Sequence, residues 1–196
     1  EDGRLYALGA AGELRCLDGD SGRLIWSKNI LRDNGAENLQ WGMAASPLIV
    51  DDKLVVLPGG ANGKSIVAYD KRTGEPVWQA LGDKQAYTSP MLVTLAGERQ
   101  ILVVTGNRIV GLTVDGKLLW EYPWTTSNDI NVAQPVIVGP DRFFISAGYG
   151  HGASLLRLTN TSGSFKATRV WENTRLKNKF SSSVLHEGHV YGLDEA

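Results

Sequence analysis

The sequence is poor in the residues that usually announce chemistry. It has one cysteine and three histidines in 196 residues. Cys16 has no second thiol with which to form an intramolecular disulfide, and one cysteine neither requires nor excludes an oxidising compartment. No histidine is placed beside it by the pattern, so it reads as a packed thiol rather than a nucleophile. His151, His186 and His189 are too few and too badly grouped for a metal centre, although the last two flank one tight turn, Glu187-Gly188. All three read as solvated turn residues. No apolar run approaches the roughly eighteen residues that cross a bilayer, and Glu1-Asp2-Gly3-Arg4 lacks the basic-then-apolar layout of a secretion signal. These residues therefore give no cellular address. Charge of one sign is missing too: the formal net charge is −1 with both signs interspersed. That removes the electrostatic footprint expected for a nucleic-acid backbone or an anionic membrane. There is no nucleophile elbow and no paired-carboxylate site.

What the chain does have is glycine, 23 residues of it, six tryptophans spread along its length, and short apolar stretches between turn signals. That profile is all-β. Tryptophans 26, 78, 120 and 171 each close a similar segment, at intervals of 52, 42 and 51 residues, which suits a repeat of four short strands. In the clearest unit the strands are Ser46 to Val50, Lys53 to Leu57, Ser65 to Tyr69 and Pro76 to Gln79, with a glycine-rich hairpin from Gly59 to Gly63. Proline opening the fourth strand suits an outermost position, which needs no hydrogen bond on its free side. The second unit uses Pro90 to Thr94, Gln100 to Thr105, Arg108 to Thr113 and Lys117 to Tyr122. The third uses Gln134 to Val138, Arg142 to Ala147, Ser154 to Thr159 and Thr168 to Asn173, with a longer last turn around Asn160 to Phe165. Three strands precede these units and two follow, making seventeen strands and no helix.

Ala68-Tyr69-Asp70-Lys71-Arg72-Thr73-Gly74-Glu75-Pro76-Val77-Trp78 resembles the tryptophan-docking motif of quinoprotein alcohol dehydrogenases and related pyrroloquinoline-quinone (PQQ)-like propellers. Cys16 to Trp26 matches it with cysteine in the alanine slot, Gly111 to Trp120 is one residue shorter, and the copy ending at Trp171 is degenerate. The resemblance implies a β-propeller of four-stranded antiparallel blades: a partial blade at 1–30, blades at 41–81, 86–124 and 131–174, and a partial blade at 180–196. Leu5-Tyr6-Ala7-Leu8 and Val190-Tyr191-Gly192-Leu193 are the same strand of the repeat, so the expectation is an internal window of a larger ring whose open blade edges favour self-association. Physically, Gly22 and Gly74 supply the positive φ that the Asp-x-x-Ser/Thr turns need, and Asp18 and Asp70 can cap those turns' amides. Trp26, Trp78, Trp120 and Trp171 read as glue between blades.

Two sequences that mimic nucleotide-binding loops, Pro58 to Ser65 and Gly148 to Ala153, read as β-hairpins because strands, not helices, follow them. Function in propellers usually lives where the loops leading into each innermost strand gather around the channel. Here these lead-in loops hold Asn38, Gln40 and Trp41; Lys84, Gln85 and Tyr87; Trp124, Asn128, Asp129 and Asn131; and Lys177, Asn178, Lys179 and Phe180. Trp41, Tyr87, Asp129, Asn131 and Lys179 are the expected binding residues, for a protein partner or a small polar ligand. By resemblance two functions compete. One is a non-catalytic scaffold like the bacterial outer-membrane-assembly lipoproteins, periplasmic or secreted and without cofactor. The other is a fragment of a PQQ-dependent dehydrogenase, which would use PQQ, calcium, an adjacent cysteine pair and an aspartate base. The sequence has no such pair.

Overall fold

A computed structural model describes residues 1–195. The chain divides into two compact units, Glu1–Gln85 and the residues from Ala86 onward. The first unit holds a three-stranded sheet, β1 (Arg4–Leu8), β2 (Glu13–Asp18) and β3 (Leu24–Asn29). It also holds a four-stranded sheet of β4 (Leu48–Val50), β5 (Lys53–Val56), β6 (Ile66–Asp70) and β7 (Pro76–Ala80). In the second unit β8 (Met91–Leu95), β9 (Glu98–Val104), β10 (Arg108–Leu112) and β11 (Leu118–Pro123) form one four-stranded sheet. β12 (Val136–Gly139), β13 (Arg142–Ala147), β14 (Gly152–Thr161) and β15 (Ser164–Asn173) form another, and β16 (Val184–His186) pairs with β17 (His189–Tyr191). Every pairing is antiparallel between sequence neighbours. The fold is the all-β, four-stranded-blade architecture of a β-propeller.

Two local expectations are corrected. The chain, expected to have no helix, has one after β3: Ile30–Asn34 forms a five-residue helix, α1. Asn29 caps it by accepting a hydrogen bond from the Arg32 amide, and Gly35 ends it in the left-handed region at φ 61°. One turn is too short to show helical periodicity. It persists because Ile30 and Leu31 are buried beside Leu14, Leu54 and Tyr69, and Asn34 donates to the Tyr69 hydroxyl at 2.9 Å. The second correction is the turn at Asn160 to Phe165. β14 and β15 extend through it and pair Thr161 with Ser164, leaving only Ser162 and Gly163 outside the ladder. Both have positive φ, 52° and 87°, as the two central residues of a type I′ hairpin require.

Each unit has its own core. Leu14, Met43, Leu54, Val56, Val67 and Tyr69 pack together in the first; Leu95, Leu102, Ile109, Trp120, Phe143 and Leu156 do so in the second. The repeat is visible in the hydrogen bonding of the turns. Asp18 accepts from the Ser21 amide and hydroxyl at 2.9 and 2.6 Å, and Asp70 accepts from the Arg72 and Thr73 amides, both at 2.8 Å. Gly22 and Gly74 follow at φ 71° and 76° and return their amides to the carbonyls of Asp18 and Asp70. These hydrogen bonds hold both carboxyls below the ordinary carboxylate range, the Ser21 hydroxyl leading at Asp18 and the Thr73 amide at Asp70.

The four repeat tryptophans occupy one register position. Trp26, Trp78, Trp120 and Trp171 stand opposite Cys16, Ala68, Gly111 and Leu155, and in each ladder a bulge follows immediately. Their burial differs from copy to copy. Over Gly111 the Trp120 ring folds inward, is 4% exposed, and donates Nε1–H to Gln100 at 2.6 Å. Trp171, opposite Leu155, is 41% exposed. Trp26 lies against Gly74 of the neighbouring sheet's turn and donates to the Lys71 carbonyl at 3.3 Å, which also accepts from the Tyr6 hydroxyl at 2.9 Å. Cys16 is a fully buried free thiol.

Candidate partner-binding face

The lead-in loops lack ladders, so their backbone polar groups need substitutes. Amide side chains supply them, Gln85, Asn131 and Asn178 buried and Asn38 exposed. In the first unit Gln85 Nε2 donates to the Glu37 carbonyl at 2.9 Å, while Asn38 Nδ2 and the Met43 amide both donate to the Ala10 carbonyl. This pins the loop that presents Trp41, whose side chain is 61% exposed.

In the second unit the Tyr87 amide donates to the Asn131 carbonyl at 2.9 Å, joining two lead-in loops directly. Asn131 itself is 2% exposed and spends Nδ2 on the carbonyls of Thr105 and Gly106. Its place is inside the loop scaffold, under the surface that Tyr87 and Asp129 reach. Asp129 sits on the rim at φ 55°, its loop closed by the Thr126 hydroxyl, which accepts from the Ile130 amide at 2.8 Å. Trp124, also expected on the face, is buried in the core cluster. His151 is corrected as well. Rather than a solvated turn residue, it is half-buried with its ring 4.1 Å from that of Trp124, edge to face.

Lys179 lies in a separate arrangement that sequence reading only partly found. Its ammonium is 2.6 Å from Glu195 and lies over the rings of Tyr149 and Phe180, at 5.1 and 5.6 Å from their centroids. Glu195 also accepts from the Tyr149 amide at 2.7 Å. The mutual hydrogen bond raises the lysine's pKa and lowers the glutamate's, so both stay charged across the neutral range. Beneath them, buried Asn178 donates Nδ2 to the Leu193 carbonyl at 2.8 Å and accepts from Ser183 at 2.7 Å, while its amide donates to Ser146. The result is a cleft of ≈ 360 Å³ lined by Lys177, Lys179, Phe180, Ser181, Leu193, Asp194 and Glu195. Tyr149, Leu193, Asp194 and Glu195 gave no sequence signal beyond belonging to loops beside strand ends. Among the described residues, no three His, Cys, Asp or Glu side chains cluster as a cation site.

A family model described as outer membrane protein assembly factor BamB matches residues 1–196. The chain belongs to this PQQ-like repeat family. The crystal structure of BamB from Moraxella catarrhalis is similar at 17% identity and a TM-score of 0.65, covering 99% of this chain and 56% of that one. A quinohemoprotein alcohol dehydrogenase from Comamonas testosteroni is similar at 18% identity and a TM-score of 0.55, over 97% of this chain and 37% of that one. Another such dehydrogenase, from Pseudomonas putida HK5, is similar at 14% identity and a TM-score of 0.51, over 86% of this chain and 33% of its own. The chain thus spans about half the length of the BamB structure. At these identities the solved structures speak for the propeller fold. No curated protein sequence matches the chain.

Proposed function

We propose that this chain is part of a non-catalytic scaffold propeller that binds a protein partner through its lead-in loops, in the periplasmic setting of outer-membrane protein assembly. The four repeat tryptophans serve it as docking elements between blades. The observation that carries the reading is the division of labour within these loops. Amides such as Gln85, Asn131 and Asn178 are buried and tie down backbone carbonyls, while Trp41, Asp129 and Phe180 project outward and Tyr87 is half-exposed. A fixed surface of aromatic and charged groups loses little entropy on association.

The dehydrogenase reading asks for a donor set that the described residues do not supply. The one cysteine is buried in β2, and no acidic cluster suits calcium.

The test places a photo-crosslinking amino acid at Trp41, Tyr87 or Phe180, and at Asp52 or Asp141 in the short turns between β4 and β5 and between β12 and β13, in the living host. One common partner should be captured from the first set, and its capture should fall with Tyr87→Ala or Asp129→Ala while Tm moves by no more than a few degrees. Equal capture from Asp52 or Asp141 overturns the assignment.

A further inference from the structure

We infer that Asn62 is a site of spontaneous backbone modification: its carboxamide closes on the Gly63 amide nitrogen and reopens as aspartate or isoaspartate, which places a new carboxylate in the hairpin beside the loop that presents Trp41. The chemistry needs only water and is independent of any partner.

Two Asn-Gly steps occur in the sequence, Asn34-Gly35 and Asn62-Gly63. A following glycine has no Cβ to hinder approach of its nitrogen to the asparagine Cγ, so sequence alone ranks the two equally. The structure separates them. Asn34 is 4% exposed at the end of α1. Its Nδ2 donates to the Ile30 carbonyl at 2.8 Å and to the Tyr69 hydroxyl at 2.9 Å, and the Gly35 amide donates to the Arg32 carbonyl at 3.2 Å. Electrophile and nucleophile are both held, and reaction there requires local opening. Asn62 stands exposed in the three-residue loop between the bridged residues Gly60 and Lys64. Among the described residues neither the Asn62 carboxamide nor the Gly63 amide has a hydrogen-bond partner, and a Cβ built on Gly63 meets nothing within 4 Å. Nothing has to open before these two groups meet. In the reaction Gly63 N bonds to Asn62 Cγ, and the carboxamide nitrogen leaves as ammonia with the Gly63 proton, so a succinimide ring remains. Water then opens the ring. Breaking the N–Cγ bond gives aspartate; breaking the bond from nitrogen to the main-chain carbonyl carbon gives isoaspartate, whose backbone runs through Cβ and Cγ. Gly59, in the same hairpin, packs on Gln85, where an added Cβ would lie 2.7 Å from the Gln85 amide nitrogen. Gln85 Nε2 in turn holds the Glu37 carbonyl of the Trp41 loop. A backbone atom gained at residue 62 is therefore felt at that loop.

The experiment ages the purified chain in mildly alkaline buffer, native and in guanidinium, and follows both sites by peptide mass spectrometry. Trypsin releases Asn62 in 54–64 and Asn34 in 33–53, and enzymatic methylation of the new carboxylate counts isoaspartate. In the native chain Asn62 should convert at least about tenfold faster than Asn34, with isoaspartate among the products; in guanidinium the two rates should agree within about twofold, because only the fold separates them. Asn62→Gln should abolish the fast conversion and leave the circular dichroism unchanged. Amide resonances of Gln85 and Glu37 should shift in the aged ¹⁵N-labelled wild type and stay in place in aged Asn62→Gln. Native Asn34 converting as fast as Asn62, or conversion of Asn62 only in guanidinium, overturns the site. Gln85 and Glu37 amides unmoved after conversion overturn its link to the Trp41 loop.

Discussion

Gly111→Ala tests how closely the repeat depends on a missing side chain. Gly111 lies in β10 opposite Trp120, at ordinary strand φ, so the substitution carries no backbone strain. The space is the difficulty. A Cβ built there overlaps Trp120 Nε1 and Gln100 Oε1, the two atoms of a buried hydrogen bond. The indole must move, and Gln100, fully buried, keeps its Nε2 contact to the Leu95 carbonyl but loses the partner of its oxygen. An orphaned buried acceptor costs about 1–3 kcal/mol, and overpacking adds about 1–3 kcal/mol. The stiffer unfolded chain offsets about 0.5–1 kcal/mol. The net loss is about 2–4 kcal/mol, or roughly 5–15 °C in Tm for a chain of this size. Calorimetry on Gly111→Ala, Trp120→Phe and the double variant closes a cycle. Phenylalanine removes the indole nitrogen that meets the new methyl, so Gly111→Ala should cost less than about 1 kcal/mol in that background, a coupling above about 1 kcal/mol. Equal costs in both backgrounds, or a neutral single variant, would refute the reasoning.

Asp70→Ala should destabilise by about 0.5–1 kcal/mol at pH 7, by analogy with helix caps. The Asp70 carboxyl is depressed on folding, chiefly by the Thr73 amide. Its contribution is therefore fully present above the unfolded value near 3.9 and is lost as pH falls through the folded one. Urea midpoints of wild type and variant should differ at pH 6 and converge toward pH 3; a constant gap would place the effect elsewhere. Cys16, fully buried in β2, should resist Ellman's reagent in the native chain and react with one equivalent in guanidinium. Trp171→Ala, at the 41%-exposed copy of the repeat, should cost clearly less than Trp120→Ala, for which burial sets about 3–5 kcal/mol. Similar losses for both would mean that burial of the indole does not set the cost.

The strand order and the turns were legible because each rests on a local rule: a short run of apolar or β-branched residues, then a turn residue that only certain φ values suit. Asp18 and Asp70 could be placed on their turns for that reason. The register of β14 with β15 was not, because Asn160, Thr161, Ser164 and Phe165 carry no preference strong enough to override a loop reading, and the Ser162-Gly163 turn acts only through the twist of the strands beside it. The copy ending at Trp171 reads as degenerate, and the slot opposite its tryptophan is leucine where the other copies have cysteine, alanine and glycine.

The lead-in loops mark where sequence stops being informative, and the reason bears on function. An asparagine in an irregular segment has two uses, contact with a ligand or replacement of a missing ladder partner, and composition is identical for both. Asn131 and Asn178 are buried and bonded to backbone carbonyls, so in these loops the second use has priority. The buried amides fix the loops, and fixed loops determine which side chains are left outside. Trp41, Asp129 and Phe180 stay exposed on loops that Gln85, Asn131 and Asn178 hold in place. A surface assembled this way is settled by polar residues that never reach the partner. Substituting Asn178, with Leu193 and Ser183 as its partners, should therefore disturb the Lys177 cleft more broadly than substituting Lys177 itself.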